Sequence, residues 1–444
     1  MRKNKIAVQD TMIGPRVLIV NPPIYDFSAY DFWLRPAGAL AVAGLLRGQA
    51  HLCLFDYLDR RHPSAVHKDT EKNPCGRGRF IQQQVEKPAA FENIPRYYKR
   101  FGLPRELFEI FLRQSAPFDF VLVQSVMTYW YPGVKEVIDD IRRLNPQAKI
   151  ILGGFYATAC RAHALTLGAD GVIDGENLQP MWNILGLTPP EEYQPPAWEL
   201  YPNLGTGVLK LTRGCPFQCS YCYMPVRGER FQVRPIEDVL ADFEIMRRQG
   251  VRNIAFYDDA LLYQPQETLL PFLEAIRGRG VNLHTPNGMH ARMINTDMAR
   301  ALVQGGFKTF YLGFESASAE FQKQTGSKLV SQELASAVDA LRSAGADSSS
   351  IIAYEMLGHP LADVQAIEES MRFANKLGIR IMFSEFSPIP GTPDGEICRN
   401  YVDLDEPLNH NKSAFPILFL GWQKIKYYKS LCRELNETNF GKST

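Results

Sequence analysis

The sequence predicts an α/β protein: an N-terminal doubly wound parallel sheet, a partial (β/α)6 barrel after it, and a short helical tail. Three observations predict this. Short β-branched runs alternate with helix-periodic stretches from residue 16 to about 185, the pattern of a parallel sheet covered on both faces. Five prolines then crowd residues 186–205 with few periodic apolar positions, as in an interdomain linker or a draped connection. Beyond them the alternation restarts as six strand–helix units of about 30 to 40 residues, short of the eight that a closed barrel needs.

Arg16-VLIVNPP opens the chain as a strand, 36–47 follows as a helix and His51-LCLFDYL as a second strand. Residues 59–115 read as an insertion, rich in Arg, Lys, Gln and Pro up to 100, with a helix at 104–114. A buried strand at 118–126 precedes a helix at 131–144, whose Val134, Val137, Ile138 and Ile141 share one face. Strands at 149–154 and 170–174 complete the first sheet. The barrel strands fall near 208–213, 253–258, 282–287, 309–316, 350–357 and 380–388, with helices at 236–249, 266–279, 296–305, 331–344 and 362–377. The expected division is therefore 1–185 for the first domain, 186–205 for the linker, 206–397 for the barrel and 398–444 for a tail with one helix near 422–435.

Composition removes several classes of function. The chain has 444 residues, 45% of them hydrophobic and 22% charged, which fits a folded globular protein. Its 49 Lys+Arg against 48 Asp+Glu leave a net charge of +1, so no global field favours nucleic acid or an anionic membrane. No apolar run reaches the ~18 residues of a membrane helix. The basic leader MRKNKIAVQD lacks a following apolar stretch, so a signal peptide is not expected and the cytoplasm is the expected compartment. Eight cysteines are too few for a disulfide scaffold, and three of them lie within residues 215–222, which in a reducing compartment favours metal.

That cluster reads Gly214-Cys215-Pro216-Phe217-Gln218-Cys219-Ser220-Tyr221-Cys222 and leaves the carboxyl end of the first barrel strand, the edge where barrel enzymes carry out chemistry. Spacing i, i+4, i+7 also fits one helix face, but Gly-Cys-Pro and the polar Gln218 and Ser220 oppose a buried helix. Structural zinc needs four ligands, usually in paired Cys-x-x-Cys motifs, and Cys398 and Cys432 stand alone. Three thiolates on a four-iron cluster leave one iron free of protein ligands, a position open to substrate.

The Cys-x3-Cys-x2-Cys spacing, with Tyr221 inside it, resembles the radical S-adenosylmethionine (SAM) superfamily. The resemblance implies a 4Fe-4S cluster on Cys215, Cys219 and Cys222 whose open iron chelates SAM. One electron then splits the S–C5′ bond to give a 5′-deoxyadenosyl radical, and a flavodoxin- or ferredoxin-type donor is implied as the source. It also implies a SAM pocket along the barrel edge from Tyr221, Asp258, Asp259, Asn287, Glu315 and Ser316, with Pro390 in an adenine-side loop. An acidic residue at such a strand end can instead cap the next helix.

In the first domain, Ser125 and Gly153-Gly154 end neighbouring predicted strands, with Asp174-Gly175-Glu176 after a later one. Small residues there let a ligand approach the sheet edge. With Val-Asn-Pro-Pro at the first strand end, this resembles the B12-binding Rossmann-like domain that precedes many radical SAM proteins, and implies a cobalamin site at Ser125, Gly153 and Gly154. The Asp-x-His-x-x-Gly fingerprint is absent and Asn21-Pro22-Pro23 takes its place, with His62 and His163 candidates for a cobalt ligand only by proximity.

The expected function is thus a radical SAM enzyme, with cobalamin-dependent methyl transfer to an unactivated centre as its reaction and no substrate legible. Alternatives are a cobalamin-independent radical SAM enzyme whose first domain recognises substrate or partner, and an iron–sulfur redox sensor. Cys53, Cys75 and Cys160 lack the flanking residues of the second cluster found in methylthiotransferases. The terminal Gly441-Lys442-Ser443-Thr444 lacks the strand and glycine of a P-loop. Sequons at Asn411 and Asn436 have no secretory context.

Overall fold

The structure, a computed structural model, describes residues 14–65, 73–175, 177–326 and 329–441. The leader, Glu176 and Lys442-Ser443-Thr444 lie outside the described residues. The chain divides into two compact units: residues up to 25, 36–65 and 101–202 make the first, and 26–35, the stretch up to 100 and everything from 203 onward make the second.

The first unit holds a five-stranded parallel sheet of β1 (Arg16–Asn21), β2 (His51–Asp56), β3 (Phe120–Ser125), β4 (Lys149–Gly154) and β5 (Gly171–Ile173), in the order β2-β1-β3-β4-β5. Val17 to Val20 of β1 are all fully buried, which is why the strand reads as a continuous apolar run: both faces of a parallel sheet are covered. On one face lie α1 (Ala37–Leu45) and α3 (Gln179–Leu185), whose Ala43, Met181, Trp182 and Leu185 pack with Val17, Ile19, Leu122 and Ile151. Helix α2 (Tyr131–Leu144) buries Val134, Val137, Ile138 and Ile141, the face expected from its periodicity. The proline-rich segment drapes over α1: Ala197 N–H donates to Leu40 O at 2.9 Å, and a Cβ at Gly44 would fall 2.3 Å from Pro195 O.

The second unit holds six parallel strands, β6 (Thr206–Leu209), β7 (Asn253–Phe256), β8 (Asn282–His284), β9 (Phe307–Glu315), β10 (Ile351–Leu357) and β11 (Arg380–Glu385), whose spatial order follows the chain. This is the expected partial barrel. Its helices are amphipathic; α4 (Ile236–Arg248) buries Val239, Phe243 and Met246, and α5 (Ser331–Ser343) buries Leu334, Ala337, Val338 and Leu341. The lumen is filled by side chains from the segment before α1, Phe32 and Trp33, and from the insertion, Cys75 and Arg77. Trp33 is fully buried, clusters with Ala255, Tyr311 and Ile352, stacks on His284 at 4.3 Å and donates its indole N–H to Cys75 O. The Arg77 guanidinium lies over the Phe32 and Trp33 rings and donates to Tyr311 Oη at 2.6 Å, a cation held on aromatic faces.

The tail carries two main helices and not the single one expected, α6 (Ala414–Leu420) and α7 (Trp422–Phe440). Helix α7 covers the open edge of β11. The Asn436 side chain accepts from Ile381 N–H and donates to Ile381 C=O, both at 2.9 Å, standing in for a missing strand at an edge that would otherwise invite pairing. No helix among the described residues is long and apolar enough to cross a membrane.

Candidate functional site

The cysteine loop begins just past β6. A two-residue ribbon, Thr212–Arg213 against Gln232–Val233, closes the base of the excursion that carries it. Gly214 turns the chain at φ +70°, where a Cβ would meet Arg230 O at 2.6 Å, so only glycine fits. Residues 215–222 form turns and irregular backbone, which removes the helix-face reading of the spacing. All three thiols are half-buried. Cys215 Sγ lies 3.9 Å from Asp259 O, and Met224 N–H donates to Cys222 Sγ at 3.5 Å. Burial pushes the Cys222 thiol up to about 11, against the Met224 hydrogen bond and helped by negative charge on Cys219, Cys215 and Asp259. An uncoordinated Cys222 therefore keeps its proton at neutral pH, and ligation must displace it.

The loop lines a cleft whose empty space, about 610 Å³, is partly open to solvent. Of the expected SAM-side residues, Tyr221, Asp258, Asp259 and Asn287 line it beside the three cysteines; Glu315, Ser316 and Pro390 are not among its lining residues. Asp258 is 2% exposed. Its Oδ1 accepts from Leu211 N–H, Thr212 N–H and the Thr212 hydroxyl at 2.7–2.8 Å, bracing the exit from β6, while Oδ2 is buried without a hydrogen-bond partner. Burial pushes its carboxyl up to about 6 against those bonds. Asp258 thus caps no helix, and its second oxygen is left for a donor that the chain does not supply. Asn287 Nδ2 donates to Asp258 O at 3.1 Å, and Asp259 pairs with Lys210 at 3.4 Å. Burial holds the Tyr221 phenol well above its usual range, with Glu315 adding to it. Glu315 ends β9 at φ +64°, and the Ser316 hydroxyl accepts from Ser318 N–H. Pro390 lies half-buried in the loop after β11.

Among the described residues, no three His, Cys, Asp or Glu side chains converge as a single metal ion requires. That convergence is the demand of zinc; an iron–sulfur cluster spreads its thiolates over separate irons and fits cysteines that line a wider cleft. Cys53 lies in β2, and burial raises the thiols of Cys53 and Cys75.

Sequence reasoning missed two residues here. His290, from the loop after β8, lines the cleft with its ring 4.6 Å from that of Phe217. Asp394 accepts from Ser220 Oγ at 2.6 Å and lies 2.8 Å from His359 Nε2. Pro393-Asp394 carries no local signal beyond a helix start.

In the first unit, strand order reverses between β1 and β3, the switch point at which open α/β sheets take ligands. Ser125 ends β3 there, with its hydroxyl committed internally: it donates to Gly153 O at 2.8 Å and accepts from Ala157 N–H at 3.2 Å. Gly154 has φ +104°, and a Cβ there would fall 2.0 Å from Ser125 O. Gly153 leaves open space, its nearest neighbour being Ile173 O at 3.9 Å. Asn21, at the β1 end, donates to Asp56 at 2.6 Å. His62 Nδ1 accepts from Ser64 N–H, and His163 Nδ1 lies 2.5 Å from Tyr156 Oη.

This architecture is that of a radical SAM barrel preceded by a Rossmann-like domain. Residues 209–374 match the Radical SAM superfamily, and the chain carries a radical SAM domain. An uncharacterised methyltransferase of Pyrococcus horikoshii is 26% identical over 212 residues, 46% of this chain and 45% of that protein. Threonylcarbamoyladenosine tRNA methylthiotransferase MtaB of Thermotoga maritima is 25% identical over 281 residues, 59% of this chain and 64% of that one. The chain thus spans about half to two thirds of the length of these relatives. The radical SAM methyltransferase TsrM from Kitasatospora setae, solved with tryptophan substrate and a SAM analogue, shares the fold at TM-score 0.63 and 15% identity, over 87% of this chain and 76% of that one. TsrM has also been solved with cobalamin and a 4Fe-4S cluster bound.

Proposed function

We propose that this protein is a radical SAM enzyme that cleaves SAM reductively, with cobalamin-dependent methyl transfer to an unactivated centre as its reaction. The observation that carries the reading is the cleft in which Cys215, Cys219 and Cys222 face a buried Asp258 whose Oδ2 has no partner. The three cysteines are the ligand set. When bound, the 4Fe-4S cluster supplies the electron that splits SAM into methionine and a 5′-deoxyadenosyl radical, and cobalamin supplies a methyl carrier. Asp258 Oδ2 accepts from the amino group of SAM, Asn287 keeps the Asp258 backbone in place, and Tyr221 shields the cleft from water. A flavodoxin- or ferredoxin-type protein delivers the electron. The residues that would hold cobalamin, with its own base displaced, are those at the β1/β3 switch point: Gly153 would leave it room, Ser125 and Gly154 would shape the edge behind it, and the chain would supply it no histidine.

Anaerobically reconstituted protein should hold about four irons per chain, one cluster, and yield 5′-deoxyadenosine from SAM and dithionite. Alanine at Cys215, Cys219 or Cys222 should abolish both. Near eight irons, or unchanged cluster absorbance in the triple variant, refutes the ligand set. In a cluster-replete sample, no 5′-deoxyadenosine even with cell extract as substrate source moves the weight to a redox sensor. Paramagnetic resonance of bound cob(II)alamin should lack nitrogen superhyperfine splitting; its presence would turn attention to His62 and His163.

A second reading rests on the internal use of the Ser125 hydroxyl and the packing need for Gly154: a cobalamin-independent enzyme whose first domain recognises substrate or partner. Failure of cluster-replete protein to bind hydroxocobalamin selects it.

A further inference from the structure

The loop after β11 reaches the cysteine loop through one carboxylate. Asp394 stands at the start of the short helix Pro393–Ile397 and is 3% exposed. Its Oδ2 takes the Ser220 hydroxyl at 2.6 Å, and its N–H donates to Ser220 O at 3.3 Å. Ser220 lies between Cys219 and Tyr221, and its own N–H donates to Thr325 O at 3.3 Å. The next residue, Gly326, sits where a Cβ would meet Cys219 Cα at 3.2 Å. His359, after β10, holds the carboxylate from the other side. Its Nδ1 accepts from Leu361 N–H at 3.1 Å, so its proton is on Nε2, which donates to Asp394 Oδ2 at 2.8 Å. The rings of Phe321 and Phe386 fix that imidazole at 5.0 and 4.6 Å. These three side chains are no nucleophile triad, because hydroxyl and imidazole both donate to the same oxygen.

We propose that Asp394 is a positioning residue: through Ser220 it anchors the segment of Cys219, Tyr221 and Cys222, all of which line the cleft, so that seating of the cluster and binding of SAM in that cleft depend on the same brace. The inference rests on the radical SAM reading above. Two backbone contacts alone would leave Ser220 free to slide. The shared carboxylate oxygen fixes it, and a hydrogen bond to a charged acceptor is the strong kind.

The test uses the full chain, reconstituted anaerobically, as parent, Ser220→Ala and Asp394→Asn. Iron content, SAM dissociation constant and the resonance of the reduced cluster with and without SAM are measured. The expected result is parental iron content in Ser220→Ala, SAM affinity weaker by about tenfold, and a smaller SAM-induced change in the cluster signal. Asp394→Asn, which keeps an acceptor oxygen but not the charge, should fall between the two. Parental SAM affinity and parental spectral response in cluster-replete Ser220→Ala overturn the coupling and leave only a packing brace. A parent chain that takes up no iron overturns the radical SAM reading itself, a failure distinguishable from the first.

Discussion

His284 makes the barrel sensitive to acid by an amount the structure fixes. It is fully buried at the end of β8, with Nε2 at 3.0 Å from Asn253 Oδ1 and Nδ1 at 3.2 Å from Thr309 Oγ1. The amide oxygen can only accept, so Nε2 carries the proton and the neutral ring is satisfied. Burial lowers its pKa from 6.5 to about 3, with the Arg77 and Lys308 charges adding. A depressed pKa means the unfolded chain binds the proton first. The contribution is complete above pH 6.5 and drains away as pH falls toward 3. Between pH 7.5 and pH 5 the linkage amounts to about 2 kcal/mol lost from this residue. Urea unfolding of parent and His284→Gln at both pH values reads it: the variant, which cannot titrate, should lose about 2 kcal/mol less on acidification, whatever its stability at pH 7.5. Equal losses in the two proteins would refute a neutral, desolvated His284.

Three further outcomes are expected. Gly154→Ala should destabilise the chain by at least about 1–3 kcal/mol, whereas Gly153→Ala should melt with the parent and lower only hydroxocobalamin affinity; calorimetry and a binding titration separate the two. Asp258→Ala strands Leu211 N–H, Thr212 N–H and the Thr212 hydroxyl and should lower iron loading with stability, while Asp258→Asn should keep the iron and weaken SAM binding. Asn436→Ala unpairs Ile381 N–H and leaves Ile381 C=O only the weak Cys432 thiol donor; it should cost about 1–3 kcal/mol, seen as a lower urea midpoint and faster amide exchange at Ile381.

The strands were legible because burial on two faces leaves apolar runs that no loop tolerates, as at Val17–Val20 and Phe310–Phe314. The cysteine loop was legible because metal chemistry restricts spacing. What fills the lumen was not: Phe32, Trp33, Cys75 and Arg77 lie in segments without periodicity, and their partners Tyr311 and His284 are more than two hundred residues away. The residues at 59–115 therefore read only as an insertion, although Cys75 and Arg77 within it reach the barrel lumen. The bonds from Asp394 to Ser220 and His359 escaped for the same reason, since contacts across 174 and 35 residues leave no mark in a local pattern. The tail read as an appendage because an asparagine side chain completing a sheet edge has no sequence signature.

The filled lumen of the barrel changes what counts as a separable piece of this molecule. The chain passes between its two units at residues 25–26, 35–36, near 65, at 100–101 and at 202–203, so no single cut divides them. A gene fragment starting at residue 206 would encode all six barrel strands and yet leave Ala255, His284, Tyr311 and Ile352 lining a hollow that water must enter. Conversely, a protease nick within 186–205 would leave the second unit built from two polypeptides, with Trp33 as the rivet. Swapping this barrel onto another leading domain is therefore a transplant of three strands of heredity, in which residues 26–35 and the stretch ending at 100 must travel with it or be reinvented by the recipient.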